Sequence, residues 1–223
     1  MASPAPSPRT TVRRLPERGV YDRAAIHAIL DEALVCHVGF TADDGQPFVI
    51  PCVHGRIGDR LYLHGSTASR MLRALGAGAA ACVTATLLDG LVLARSAFHH
   101  SVNYRSVVVV GTCTRVDDAE ERLAALRAIV EQAMPGRWQE SRRPSATELA
   151  QTLVVSLPLD EASAKVRAGG PKDDAEDLAL GHWAGVIPLA LVAGPPQPDA
   201  ALRPGIETPQ AALRYRRGPR QEA

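Results

Sequence analysis

The stretch LHGSTASRML, residues 63–72, gathers a histidine, a glycine, three hydroxyl side chains and an arginine between His64 and Arg70. Gly65 lets the backbone run close to a ligand. Ser66, Thr67 and Ser69 are hydroxyl donors, and the Arg70 guanidinium can hold a phosphate by two parallel bonds. A strand ending at His64 and a helix opening at Ser66 or Thr67 would add free backbone N–H groups and a partial positive charge. This is the chemistry of an anion pocket. An ordinary Ser/Thr helix cap beside a surface arginine uses the same residue types.

Two further clusters carry hydrogen-bonding groups. SVNYRS, residues 101–106, precedes four consecutive valines. Asn103 can bond an amide-bearing ring edge, Tyr104 can stack on or bond to a planar ligand, and Arg105 can pair with a phosphate or a carboxylate. Ser106 completes the run. In EASAKVRAGG, residues 161–170, Lys165 and Arg167 stand two apart and share one side of an extended chain. Trp183 offers a large flat face with one polar atom.

His37, His54 and His64 fall in strand-like runs, and a strand histidine is commonly packed and hydrogen-bonded. His99 and His100 form a pair near a turn. No HExxH or similar spacing is present, so no metal site is expected. Cys36, Cys52, Cys82 and Cys113 each lie in an apolar run without a CxxC pair, which reads as reduced, buried thiols. There is no nucleophile elbow, Walker loop or GxGxxG turn, so the hydrolase, P-loop and Rossmann readings are weak. Catalytic residues stay unassigned; His64 is a candidate proton donor.

These groups need a scaffold. Apolar residues make up 46% of the chain but aromatics only 4%, so the core must be built from Val, Leu, Ile and Ala. The 223 residues suit one domain, and the net charge of +1 argues against a general nucleic-acid or acidic-membrane binder. The N-terminal MASPAPSPRTTVRRLPERG has no apolar signal core, and no run reaches the length of a membrane span. A cytoplasmic location is expected. Residues 1–19 and 194–223 are Pro-rich and read as flexible segments flanking a folded domain over 20–193.

Within that domain Asp22 caps a first helix with Ile26, Ile29, Leu30 and Ala33 on one face. Strands follow at 34–41 and 47–55, joined by Asp43-Asp44-Gly45, with Pro51 marking an edge, a bulge or an interrupted ladder. Further strands are expected at 60–66, at 79–88 and 91–97 about an Asp89-Gly90 hairpin, at about 103–116, at 152–159 and at 183–192. A second long helix over about 118–133 is capped by Asp117. Short turns and few helices indicate a mainly β fold with flanking helices, a small closed antiparallel barrel.

In order, YLHGSTASRML, LLDGLVLARSAFHHSVNYRSVVVVGTCTRV, MPGRW, EASAKVRAGGPKDD and HWAGVIPL resemble the pyridoxamine 5′-phosphate oxidase-like, FMN-binding split-barrel proteins, over about residues 15–192. The branch is that of flavin-nucleotide-binding proteins, related to nitroimidazole-resistance reductases. The resemblance implies a six-stranded antiparallel Greek-key split β-barrel, a homodimer, and FMN in two clefts between the copies. By position, His64, Gly65, Ser66, Ser69 and Arg70 would follow the FMN phosphate and ribityl chain. Ile50, Pro51 and Cys52 would present backbone to the isoalloxazine ring. Asn103, Tyr104, Arg105 and Ser106 would complete the cleft, with Trp138, Lys165, Arg167 and Trp183 joining from the same subunit or from the partner. The substrate residues of a pyridoxamine phosphate oxidase are not recognisable, so that activity is not implied. The readings left open are a flavin-dependent oxidoreductase reducing a small organic acceptor, a flavin carrier or sensor, and a haem or deazaflavin binder.

Overall fold

The computed structural model describes residues 6–216. Residues 1–5 and 217–223, the outer ends of the two expected flexible segments, lie outside the described residues. Within the N-terminal segment, the Ser7 hydroxyl donates to Glu161 at 2.6 Å, and strand β1 (Gly19–Val20) leads into helix α1 (Arg23–Glu32). The Asp22 carboxylate accepts the Ala25 N–H and fixes the start of α1, which buries Ile26, Ile29 and Leu30.

Strand β2 (Cys36–Thr41) alternates, with Cys36, Val38 and Phe40 inward and His37 and Thr41 outward. Gly45, at φ 82°, turns the chain into β3 (Pro47–Cys52). Next come β4 (Gly55–Ile57), β5 (Arg60–Ser66), α2 (Arg70–Gly76), β6 (Ala80–Leu93), β7 (Ser101–Thr112) and β8 (Thr114–Arg115). Helices α3 (Ala119–Ala133, capped by Asp118) and α4 (Ala146–Ala150) precede β9 (Thr152–Pro158), β10 (Ala162–Arg167), β11 (Gly185–Pro188) and α5 (Gln210–Leu213).

The strands form two antiparallel sheets. One runs β1-β10-β7-β6-β2-β3, with β11 added to β6; the other runs β4-β5-β9-β8. They share one core, in which Val38, Leu61, Val83, Val107, Val155 and Leu157 meet α1 and α2. The outer side of the four-stranded sheet is also buried, because Tyr62 and Val154 pack under Ala125, Leu126 and Ile129 of α3 and under Trp138. No helix among the described residues is long and apolar enough to cross a membrane.

The expected closed six-stranded barrel is therefore corrected to two open sheets of mainly antiparallel strands, a split-barrel-like arrangement. The largest difference is at Asp89-Gly90. In place of a hairpin, one strand runs unbroken from Ala80 to Leu93, and a bulge between Leu88 and Gly90 absorbs Asp89. Gly90 serves close approach: an added Cβ would lie 3.0 Å from Val186 Cγ1 and 3.1 Å from the Ile187 oxygen on β11. The last strand is likewise confined to Gly185–Pro188, where β6 offers it an edge.

Candidate functional site

Helix α2 opens at Arg70 rather than at Ser66 or Thr67, and β5 runs on through Ser66. The Ser69 hydroxyl caps the helix by accepting the Leu72 N–H at 3.4 Å. Ser66 closes the preceding turn, its hydroxyl accepting from Ala68 N at 3.1 Å. Arg70 lies over the Phe48 ring, 3.9 Å from its centroid, and Phe48 stacks on Phe40. Arg70 and Arg73, one helical turn apart, border a hollow of about 560 Å³ with Asp43, Asp44 and Ala74. Neither arginine is within ion-pair distance of a carboxylate among the described residues.

Strand β3 ends its sheet, and its outer backbone edge pairs with no strand among the described residues. Ile50 and Cys52 pack against the core while Pro51 points outward. His64 lies opposite Val154 on the Tyr62 face of β5. Its Nδ1 is buried with no hydrogen-bond partner, and burial lowers its pKa.

The SVNYRS cluster is committed to structure. Arg105 makes two bonds to Glu32, at 2.6 and 2.9 Å, and two to Asp89, at 3.0 and 2.8 Å. These carboxylates push its pKa up. The alternative raised from sequence, a carboxylate partner for Arg105, is the arrangement present. Asn103 is buried; it donates to the Gly169 oxygen at 3.1 Å and accepts from Arg167, which also reaches the Gly170 oxygen. Gly169, at φ 107°, makes that loop possible. Tyr104 stands beside Arg167 in the β7–β10 register, and Ser106 donates to the Lys165 oxygen at 3.3 Å. Lys165 donates to the Arg14 oxygen at 3.0 Å. Trp183 is 66% exposed and lies against Gly185.

Of the sequence-derived residues, Arg70 borders the α2 hollow, Ile50, Pro51 and Cys52 lie on the β3 edge, His64 lies on the Tyr62 face of β5, and Asn103, Tyr104, Ser106, Lys165 and Arg167 lie along β7 and β10, so one copy does not bring them together. A groove of about 720 Å³ lies elsewhere, between the α1–β2 link, β6 and the segment after β11. Its walls include Val35, Leu88, Leu189 and Leu191, and Arg105 braces its floor. His37 enters it from the outer face of β2 with no hydrogen bond to any described residue, and sequence reasoning had placed it among packed strand histidines. Strict alternation through Cys36-His37-Val38 was the signal that it points outward. The other histidines differ: His27 bonds Asp59, His54 bonds the Leu30 oxygen, His99 bonds Asp174 at 3.1 Å and His100 bonds the Ser96 oxygen. Asp177 also approaches His99 and Asp174 at the surface, a grouping that sequence spacing did not reveal.

Cys36 and Cys52 face each other across β2 and β3. Burial pushes the Cys36 thiol up to about 12 and raises Cys52, so both stay protonated and unreactive near neutral pH.

The pyridoxamine 5′-phosphate oxidase family matches over residues 22–166. The structure is similar to the flavocytochrome Anf3 from Azotobacter vinelandii, with 43% identity, 96% of this chain and 99% of that chain covered, and a TM-score of 0.89. It is also similar to the FAD and haem binding protein from Mycobacterium smegmatis, with 39% identity, 87% and 95% coverage, and a TM-score of 0.82. No curated protein matches the chain.

Proposed function

Because the chain belongs to the pyridoxamine 5′-phosphate oxidase family, we propose that it is an electron-transferring oxidoreductase that holds a flavin nucleotide and a haem. The observation that carries this reading is its 43% identity, over nearly the whole chain, to a flavocytochrome. FAD is the favoured flavin, since the second relative is an FAD and haem binding protein. FMN, the form implied by the sequence resemblance, is the alternative.

The chain fits both groups. Arg70 and Arg73 have no carboxylate within ion-pair distance among the described residues, and two cations on one hollow support a diphosphate over a single phosphate, with Asp43 and Asp44 at the same rim. The free edge of β3 offers backbone groups to a flavin ring, and Pro51 offers an apolar surface. The 720 Å³ groove has Val35, Leu88, Leu189 and Leu191 on its walls, an imidazole with no hydrogen-bond partner among the described residues, and the Glu32-Arg105-Asp89 set at its floor; its apolar walls and imidazole support haem. When bound, the flavin supplies two-electron and the haem one-electron chemistry, so the pair can pass electrons from a reduced donor to an acceptor.

The protein acts as a homodimer in this reading. Across the outer face of the seven-stranded sheet, Val49, Gly39, Cys82 and Val110 form one row and Pro51, His37, Thr84 and Val108 the next. A face so poor in charge favours cover by a second copy, and the cofactors would then sit at its margins. Absorption spectra of the purified protein, with chromatography of the extracted flavin, test the proposal. A haem Soret band over flavin absorption, bleached by a reduced nicotinamide donor, is the expected result. A colourless protein that takes up neither FAD, FMN nor haemin overturns it, and bound flavin that no donor reduces would leave a carrier.

A further inference from the structure

We infer that His99, Asp174 and Asp177 hold a divalent first-row transition cation, zinc or an ion of like preference, between the β6–β7 connection and the segment that leads into β11. The inference is independent of the flavin and haem reading. No metal-binding spacing announces the site, because His99 and Asp174 stand 75 positions apart.

The geometry is that of a three-point ligand set. One ligand atom from each residue, an imidazole nitrogen and two carboxylate oxygens, lies within 4.8 Å of the other two. His99 Nε2 and an Asp174 oxygen are already 3.1 Å apart. Ligands about 2.0–2.2 Å from a tetrahedral zinc stand about 3.3–3.6 Å from one another, so the set needs only a small rotation of the Asp177 carboxylate to close on an ion. Water would fill the fourth position.

The charges favour a cation. Asp177 is half-buried, yet its carboxylate has no hydrogen bond or ion pair among the described residues. Asp174 pairs only with His99. Even a protonated imidazole would leave this trio with a net negative charge. The cations nearby do not offset it: Arg95 is committed to Asp173, and Lys172 makes no ion pair among the described residues. Two close carboxylates left in this state repel each other, and a divalent ion removes the repulsion. The imidazole decides the class, since calcium and magnesium take oxygen ligands whereas first-row transition ions take nitrogen as well.

The two ligand-bearing segments are also fixed before any ion arrives. The Asp173 side chain, 1% exposed, accepts from the Arg95 backbone N–H at 2.8 Å and from the Arg95 guanidinium at 2.9 Å. This clamp sits next to Asp174 in the chain and holds it against the turn that carries His99. Binding therefore pays little to order the ligands. An ion here would be a second tie between the β6–β7 connection and the approach to β11.

Zinc titration of the full chain, freed of metal by a chelator, tests the assignment. His99→Gln and Asp177→Asn should each weaken zinc binding by more than about tenfold. Glu176→Gln, which removes a neighbouring charge but no ligand, should change it by less than about twofold. Unchanged melting of the metal-free variants checks that they fold. Hydrogen exchange on the wild-type protein gives an answer without any variant: zinc should slow exchange in residues 95–100 and 174–180. A chain that takes up no zinc, or that is protected only elsewhere, overturns the site. So does Glu176→Gln weakening binding as much as Asp177→Asn, which would mark a diffuse acidic patch. Unchanged affinity in His99→Gln, or calcium binding as tightly as zinc, would overturn it as well.

Discussion

Gln132 joins the two main helices through a set of bonds whose loss can be weighed. Its side chain, only 2% exposed, sits on α3, and its amide nitrogen reaches the carbonyls of Leu30 at 3.0 Å, Asp31 at 2.9 Å and Ala33 at 2.8 Å. These oxygens lie at the C-terminal end of α1, where a helix leaves its last carbonyls without internal partners. The amide has two hydrogens, so three acceptors share two donors, and the Leu30 oxygen keeps a bond from His54 at 2.9 Å. Gln132→Met preserves length and removes the donors, leaving about two buried carbonyls unsatisfied. At about 1–2 kcal/mol each, the loss is about 2–4 kcal/mol, or a melting temperature lower by roughly 5–12 °C for a chain of this size. Urea titration should show a lower midpoint with an unchanged slope. A change below about 0.5 kcal/mol would refute the reasoning, since it would mean that water or backbone relaxation satisfies those carbonyls at no cost. Glu32 ends α1 and braces Arg105 beneath the groove, so the same variant should also bind haemin more weakly.

Arg70→Ala should weaken flavin binding by about 1.5–3 kcal/mol, roughly 10- to 150-fold, in a fluorescence titration; unchanged affinity would remove Arg70 from the phosphate site. Gly55→Ala should destabilise the fold by about 1–3 kcal/mol, because its Cβ would lie 2.7 Å from Ile129 N and 2.9 Å from Ala128 C, both backbone atoms of α3; a wild-type denaturation midpoint would contradict this. Burial holds the His64 pKa below its ordinary 6.5, so the unfolded chain binds the proton more readily than the folded one. The neutral ring's contribution is therefore complete above about pH 6.5 and falls away as the pH drops through the depressed folded value. His64→Gln should flatten this part of the stability–pH curve, and an identical curve for variant and wild type would exclude it.

Local rules carried the sequence reading far where a feature answers to its near neighbours. Asp22 and the Ile26-Ile29-Leu30 stripe specify α1 within a dozen residues, and the hairpin of β2 and β3 is set by its own turn. Of the edge, bulge or interrupted ladder that Pro51 allows, the structure has the edge. The reading stopped where a distant segment decides. Asp89-Gly90 has the composition of a two-residue turn, yet β11, about a hundred residues later, lines up along the second half of β6 and keeps the chain straight. Arg105 has the form of an anion-binding residue, but its partners are Glu32, 73 positions earlier, and Asp89, which the bulge turns toward it. The two outcomes are linked. A hairpin at residue 89 would have freed the arginine; the bulge instead supplies its second carboxylate. Arg105 then braces a groove floor, while Arg70 and Arg73 on α2 have no ion pair among the described residues. His37 combines both: its alternation with Cys36 and Val38 turns it outward on local grounds, while the groove it enters is walled by Leu189 and Leu191, far along the chain. Recognition chemistry in this fold is therefore decided by which polar groups distant strands leave uncommitted, a property that no single stretch of the sequence displays.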